Sequence, residues 1–307
     1  MRSRPSPSAD LADRPGPEVN SGASVWHRYG VLRLAGARLL DDRDRGAVRV
    51  VLDADPVATC MVAARVELAG LDPWRLGGEM WAFGSRLDGL CFSGANLVPL
   101  HGGKQALRSF ADRARRHGRG CSSIVGRAEL VLPLWHDLSG HWARPREVRA
   151  DQPLMVLGGR PEIAPDPQVR PVRIEELDRY LPAAVAMFTE EVGVDPRIGD
   201  GGVGYRARVA ELVHAGRAFA RFDGDQVVFK AEIGALSRQV GQIQGVWVHP
   251  AYRGRGLGTV GTAAVTDRLA AMGRVSSLYV NGFNTVAKRA YARIGFRQVA
   301  SFATVLF

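Results

Sequence analysis

The stretch Val246–Thr259, reading VWVHPAYRGRGLGT, constrains this chain more than any other. Val246-Trp247-Val248 is a β-branched and aromatic run of the kind that forms a buried strand. Pro250 ends the pairing, because proline has no N–H to give to a ladder. Arg253-Gly254-Arg255-Gly256-Leu257-Gly258 comes next, and the Ala/Leu-rich segment Thr259–Met272 is predicted as a helix, capped by Gly273. A strand, a glycine loop and a helix in that order leave free N–H groups at the positive end of a helix dipole. Such an arrangement suits a phosphate. Glycine is required because a Cβ would hold the backbone away from the phosphate oxygens.

Two nucleotide loops are excluded. A P-loop needs a Lys directly after its last glycine, and here Thr259 follows Gly258. A dinucleotide fingerprint opens a βαβ series, whereas these glycines lie late in the chain. The segment instead resembles the acetyl-CoA signature of the GNAT acyltransferase superfamily, R/Q-x-x-G-x-G/A, with Arg253, Gly256 and Gly258 in the fixed places. A second motif strengthens the resemblance. Residues 284–296, NTVAKRAYARIGF, are similar to the family's closing element N-x-x-A-x-x-x-Y-x-x-x-G-F. Ala287 is small enough for a close helix approach, and Tyr291 lies one turn further on the same face. Gly295 ends the helix and Phe296 returns to the core. The resemblance covers about residues 168–307.

The remaining composition bounds the answer. The 307 residues allow two ordinary domains, and 46% apolar with 23% charged residues is globular usage. No apolar run approaches the ~20 residues of a membrane span. Residues 1–24 are rich in Pro and Ser without an apolar core; they read as a disordered tail and not as a secretory signal, so a cytoplasmic protein is expected. Cys60, Cys91 and Cys121 are scattered, which fits reduced thiols and not a disulfide framework or zinc site. The net charge of +10 is carried almost wholly by arginine, the lysines being Lys104, Lys230 and Lys288. Arg113–Arg119 reads as the solvated end of an amphipathic helix, and no aromatic stacking pattern accompanies it, so nucleic acid is not the expected partner.

Along the first half, Tyr29–Leu34 reads as a strand, 41–52 and 55–69 as helices, and Glu79–Phe83 and Leu90–Leu100 as strands. Lys104–His117 reads as a helix, Cys121–Val125 as a strand, Arg127–Leu138 as a helix, and Trp142–Leu157 as extended. In the second half the order recurs. Arg170–Ile174 is a strand, and Glu175–Thr189 and Tyr205–His214 are helices. Ala218–Phe222, Gln226–Leu236 and Val240–Val248 form a meander with a turn at Asp223-Gly224, and Gln298–Phe307 reads as a closing strand pair. An α/β chain of two tandem GNAT-like mixed-sheet domains is therefore expected, with the N-terminal copy degenerate. After strand 90–100 it offers only His101-Gly102-Gly103-Lys104, and Leu134-Trp135 stand where the tyrosine should be. The expected division is a tail at 1–24, a degenerate domain at 25–157, a Pro/Gly-rich linker at 158–169 and a catalytic domain at 170–307.

The resemblance implies acetyl transfer from acetyl-CoA to an amine, on a small molecule or a protein, without a covalent enzyme intermediate. It implies that the N–H groups of Gly254, Arg255, Gly256, Leu257, Gly258 and Thr259 hold the phosphates, with Arg253 and Arg255 as bidentate partners. Val246, Trp247 and Val248 would pair with the peptide-like cofactor arm, and a backbone N–H near Val248 would hold the oxyanion. Asn284 is the implied polar contact to that arm, with Asn281 beside it, and Tyr291 the implied general acid. The base is not set by the resemblance. Gln242 and Gln244 stand where some members carry a glutamate, so Glu232 on the preceding strand is the candidate, with Glu190, Glu191, His249 or a water chain as alternatives. An acyl-CoA sensor without turnover, an aminoacyl transferase and a thiol-biosynthesis acetyltransferase are the rival readings.

Overall fold

The computed structural model describes residues 36–307; the tail at 1–24 and the strand expected at Tyr29–Leu34 lie outside them. The first half contains β1 (Arg38–Leu39), α1 (Arg45–Ala54), α2 (Cys60–Ala69), α3 (Pro73–Leu76), β2 (Gly78–Phe83), β3 (Gly89–Gly94) and β4 (Asn96–Gly102). It continues through α4 (Lys104–His117), β5 (Ser123–Arg127), α5 (Ala128–Ser139) and β6 (Glu147–Leu157). The second half repeats this order without a counterpart of α3: β7 (Arg170–Pro171), α6 (Leu177–Val192), α7 (Val203–His214), β8 (Ala218–Asp223), β9 (Gln226–Leu236) and β10 (Val240–Val248). It ends with α8 (Leu257–Ala271), β11 (Val275–Tyr279), α9 (Thr285–Ile294) and β12 (Arg297–Leu306).

All the strands join one sheet in the order β1-β2-β3-β4-β5-β12-β6-β11-β10-β9-β8-β7. Read from either edge the pattern is the same. Three antiparallel pairings lead to one parallel pairing, β4 with β5 or β10 with β11, and then to an antiparallel strand contributed by the other half. Two copies of one mixed sheet have exchanged their last strands. β12 pairs with β5, β6 pairs with β11, and the two exchanged strands pair with each other.

This exchange explains where the expected elements differ. Gln298–Phe307 is one long strand and not a pair, because it runs between β5 and β6 with register shifts at Gln298/Ala300 and Phe302/Thr304. Leu90–Leu100 is two strands, split at Ala95. Of Arg170–Ile174 only two residues pair, since Pro171 has no donor and a 3-10 turn begins at Ile174. Segment 158–169 is not a free tether: Glu162 N–H donates to the Ile294 carbonyl, Asp166 N–H to the Val260 carbonyl, and the buried Asp166 carboxylate accepts from Arg221 at 2.8 Å.

Helices cover both faces of the sheet. In the second half α8 and α9 pack over a core containing Phe229, Ala231, Leu278 and Tyr291, while α6 and α7 pack over Ala218, Ala220 and Trp247. Alternation along β9 assigns the faces: Phe229 and Ala231 to one, Lys230 and Glu232 to the other. Helix α8 lies unusually close to β9, because a Cβ on Gly261 would come within 2.7 Å of the Phe229 ring. Phe229 is fully buried, worth about 1.5–3 kcal/mol of transfer free energy. The first-half helix α2 also touches the second half, with Cys60 packed on Ala235 and Val240. All three cysteines are buried, and desolvation holds the Cys60 thiol up at about 11, so they are unreactive packing groups.

Candidate active site

The site is built around a bulge. β10 pairs with β9 at Gln244↔Glu232 and Trp247↔Lys230, so Gly245 and Val246 stand opposite Ala231 alone. Gly245 takes φ +59, which a side chain rarely adopts, and a Cβ there would lie 3.0 Å from Met187 and 3.1 Å from Lys230 Nζ. The bulge bends β10 away from its parallel neighbour. β10 and β11 pair only over 240–242 and 275–277, and beyond Gln242 they part. His249 N–H donates to the Val228 carbonyl on β9; by alternation the Val248 N–H faces the gap.

Past the gap, Pro250–Tyr252 forms a 3-10 turn and the loop runs into α8. Gly254 and Gly256 both have positive φ, and a Cβ at either would point into open space. The N–H groups of Gly254, Arg255, Gly256, Leu257 and Gly258 have no hydrogen-bond acceptor among the described residues, and no side chain caps α8. Thr259 N–H is different from the expected cradle: it already donates to the Gly256 carbonyl at 2.9 Å. Five free donors together at a helix N-terminus form a cradle that suits an anion.

The arginines differ in use. Arg253 donates from Nε to the Val248 carbonyl at 3.1 Å and from Nη2 to Glu190 at 2.7 Å, while Glu190 also accepts from Trp247 Nε1 at 3.1 Å. It is a clip joining loop, strand and α6, and not an unengaged phosphate ligand. Arg255 lies over the Tyr252 ring, 5.1 Å from its centroid, with no ion pair among the described residues. Asn284 caps α9 by accepting from Ala287 N–H at 3.0 Å. Asn281 is held from the other half: Gln152 on β6 donates to its Oδ1 at 2.9 Å and accepts from Thr304. Tyr291 is buried on α9 beside Phe296, its hydroxyl without a protein partner. Burial and then the charge of Glu191 push its phenol up, so it keeps its proton across neutral pH.

Glu232 is the sequence's candidate base, and its surroundings do not suit that role. It is buried below the bulge, accepting from Lys230 Nζ at 2.6 Å, Tyr180 hydroxyl at 3.0 Å and Gln244 at 3.4 Å. Burial works to raise its proton affinity, but the Lys230 charge and these bonds outweigh it and the carboxyl lies below its usual range. Such a carboxylate takes up a proton reluctantly. Sequence reasoning missed Lys230, although its place two residues before Glu232 put both on one strand face. Lys230→Met is expected to cost about 3–5 kcal/mol, because Glu232 would remain buried without a countercharge. Urea unfolding of Lys230→Met and of Lys230→Met with Glu232→Gln checks this: the second change restores most of the loss, and equal losses would contradict the pairing.

The first half has the same frame without the site. A single residue, Gly103, joins β4 to α4, so no loop exists to cradle a phosphate. Beyond the short β4–β5 pairing, Val98, Leu100 and Val125 pack with Leu154 and Phe302, and Arg127 binds Asp55 at 2.6 Å.

Comparison with known proteins bears on the fold. Residues 226–305 match the family described as FR47-like protein, and residues 78–180 the family described as domain of unknown function DUF4081. Two mycothiol acetyltransferases match locally. That of Gordonia bronchialis is 46% identical over 63 residues, 20% of this chain and of its own; that of Sanguibacter keddieii is 42% identical over 98 residues, 29% of this chain and 31% of its own. The match thus spans less than a third of either relative. Among solved structures, a GNAT-family acetyltransferase from Colwellia psychrerythraea is 11% identical with TM-score 0.53, covering 88% of this chain and 99% of its own. A Drosophila protein is 11% identical with TM-score 0.61, covering 88% and 98%. These likenesses run through both halves of the sheet. The second half carries the FR47-like match and the GNAT-type fold, joined to a first half of the same mixed-sheet frame that lacks a counterpart of the loop preceding α8. Among the described residues, no helix is long and apolar enough to cross a membrane.

Proposed function

We propose that this chain transfers an acetyl group from acetyl-CoA to an amine at one site in the second half. The observation that carries the reading is the row of free N–H groups at 254–258 directly beyond the gap opened by Gly245. The cradle binds the pyrophosphate, and open space at Gly254 and Gly256 admits its oxygens. The unpaired edges of β10 and β11 accept the peptide-like arm as an added strand. That brings the thioester to the bulge, where Val248 N–H stabilises the oxyanion. Tyr291, holding its proton at neutral pH, protonates the departing thiolate.

Asn284 and Asn281 border the arm, Asn281 oriented by Gln152 from the exchanged strand. Val246 and Trp247 shape the strand edge, and Arg255 supplies a charge outside the cradle. In this reading Glu232 and Lys230 act together as a rigid polar support for the bulge. The division at 158–169 separates the halves in sequence, though each half completes its sheet with the other's last strand. The local identity to two mycothiol acetyltransferases favours a second reading of the acceptor, the substrate acetylated by those relatives.

The test is transfer of labelled acetyl from acetyl-CoA to an amine panel that includes that substrate. Labelled amide with stoichiometric CoA release is expected. Binding of acetyl-CoA without transfer to any amine would support a sensor instead.

A further inference from the structure

The carboxylates and the imidazole around the gap are nearly all engaged. Glu190 is bound to Trp247 and Arg253, Glu232 to Lys230, Tyr180 and Gln244, and His249 to the Ala251 N–H and Gln226. The Glu191 carboxylate has no ion pair or hydrogen bond among the described residues. Its side chain reaches solvent, but its backbone is held in place. The last turn of α6 is fastened to β10 through Glu190, and to β6 through Arg149, whose Nη2 donates to the Glu191 carbonyl at 2.6 Å. Since β6 lies beyond β11 in the sheet, this turn spans the mouth of the gap between β10 and β11.

Resting on the acetyl-transfer reading above, we propose that Glu191 is the proton acceptor for the incoming amine, and that Arg149, from the first half's exchanged strand, is its positioning residue. Arg149 is largely buried and also binds Glu147 at 2.8 Å, so its guanidinium is set before substrate arrives.

The protons balance. The ammonium gives one proton to Glu191. The nitrogen lone pair then forms the C–N bond and the C–S bond breaks. The amide nitrogen releases a second proton to solvent, and the thiolate takes the Tyr291 proton. Glu191 then releases its proton to solvent and the Tyr291 phenolate takes one back, which closes the cycle with one proton released. The surroundings favour this exchange. Arg149 of β6, Lys230 and Glu232 of β9, Tyr205 of α7, Tyr279 of β11 and Tyr291 of α9 are the groups that interact electrostatically with Glu191. Desolvation raises its proton affinity, Arg149 and then Lys230 lower it, Glu232 raises it, and the balance lies above the usual carboxylate range. A base nearer neutrality is better matched to its task.

The experiment measures acetyl-CoA binding by calorimetry and CoA release against pH, with spermidine, a lysine-bearing peptide and glucosamine as the amines. For the unaltered protein the rate rises with pH through the Glu191 titration, because only the carboxylate accepts a proton. Glu191→Gln keeps acetyl-CoA affinity and melting behaviour, loses ~10²–10⁴-fold in turnover and loses that acidic limb. Arg149→Met removes a positive charge, so the limb moves to higher pH. A Glu191→Gln variant at the original rate with the original limb overturns the inference and leaves the acetyl-transfer reading standing. Failure of the unaltered protein to acetylate any of the amines overturns both.

Discussion

Gly256→Glu is expected to abolish acetyl-CoA binding while the protein stays folded. Gly256 sits at the N-cap of α8 with φ +79, and the direction in which a Cβ would point is empty. A carboxylate there would lie beside the N–H groups of 254–258 and would repel a phosphate. The strain of a side chain at positive φ is of order 1–3 kcal/mol, well below what unfolds a chain with a core of this size. Gly258→Glu has a similar effect on binding, with an added packing cost, since its Cβ would meet Val248 at 3.4 Å. Calorimetry with circular dichroism checks both: undiminished affinity in a folded Gly256→Glu variant would remove the loop from the site.

Tyr291→Phe is expected to lower turnover by ~10²–10⁴-fold and hardly to change acetyl-CoA affinity. The ring remains packed against Phe296, so only the donor is lost. That donor interacts most strongly as charge develops on sulfur, and its loss therefore falls on kcat and not on ground-state binding. Single-turnover measurement with a labelled acetyl group separates chemistry from product release. An unchanged chemical step would make Tyr291 a packing residue.

What the sequence discloses here is what local residues dictate. The loop 253–258 and the run 284–296 are each contiguous, with glycines whose positive φ or helix-ending role is readable from position. The helix Lys104–His117 and the meander Gln226–Val248 are likewise set by local period and turn chemistry. The bulge was partly readable: an isolated glycine in a strand, Gly245, is its usual mark. What contiguous reading missed depends on distant segments. β12 looks like a hairpin because its alternation resets, yet the resets are register shifts against β5 and β6. Gln152 and Arg149 lie far from the motifs in sequence and reach the site only through the strand exchange. Glu232 looked like an open carboxylate because its partner Lys230 gains meaning only once both are buried.

The central claim is one acetyl-CoA site per chain, in the second half, with a first half that shares the frame but has no phosphate loop. Calorimetric titration of the full chain with acetyl-CoA, repeated on Gly256→Glu, tests it most directly. The account predicts a stoichiometry of one for the unaltered protein and no binding for the variant. A stoichiometry of two, or one site that survives the Gly256 change, would contradict it.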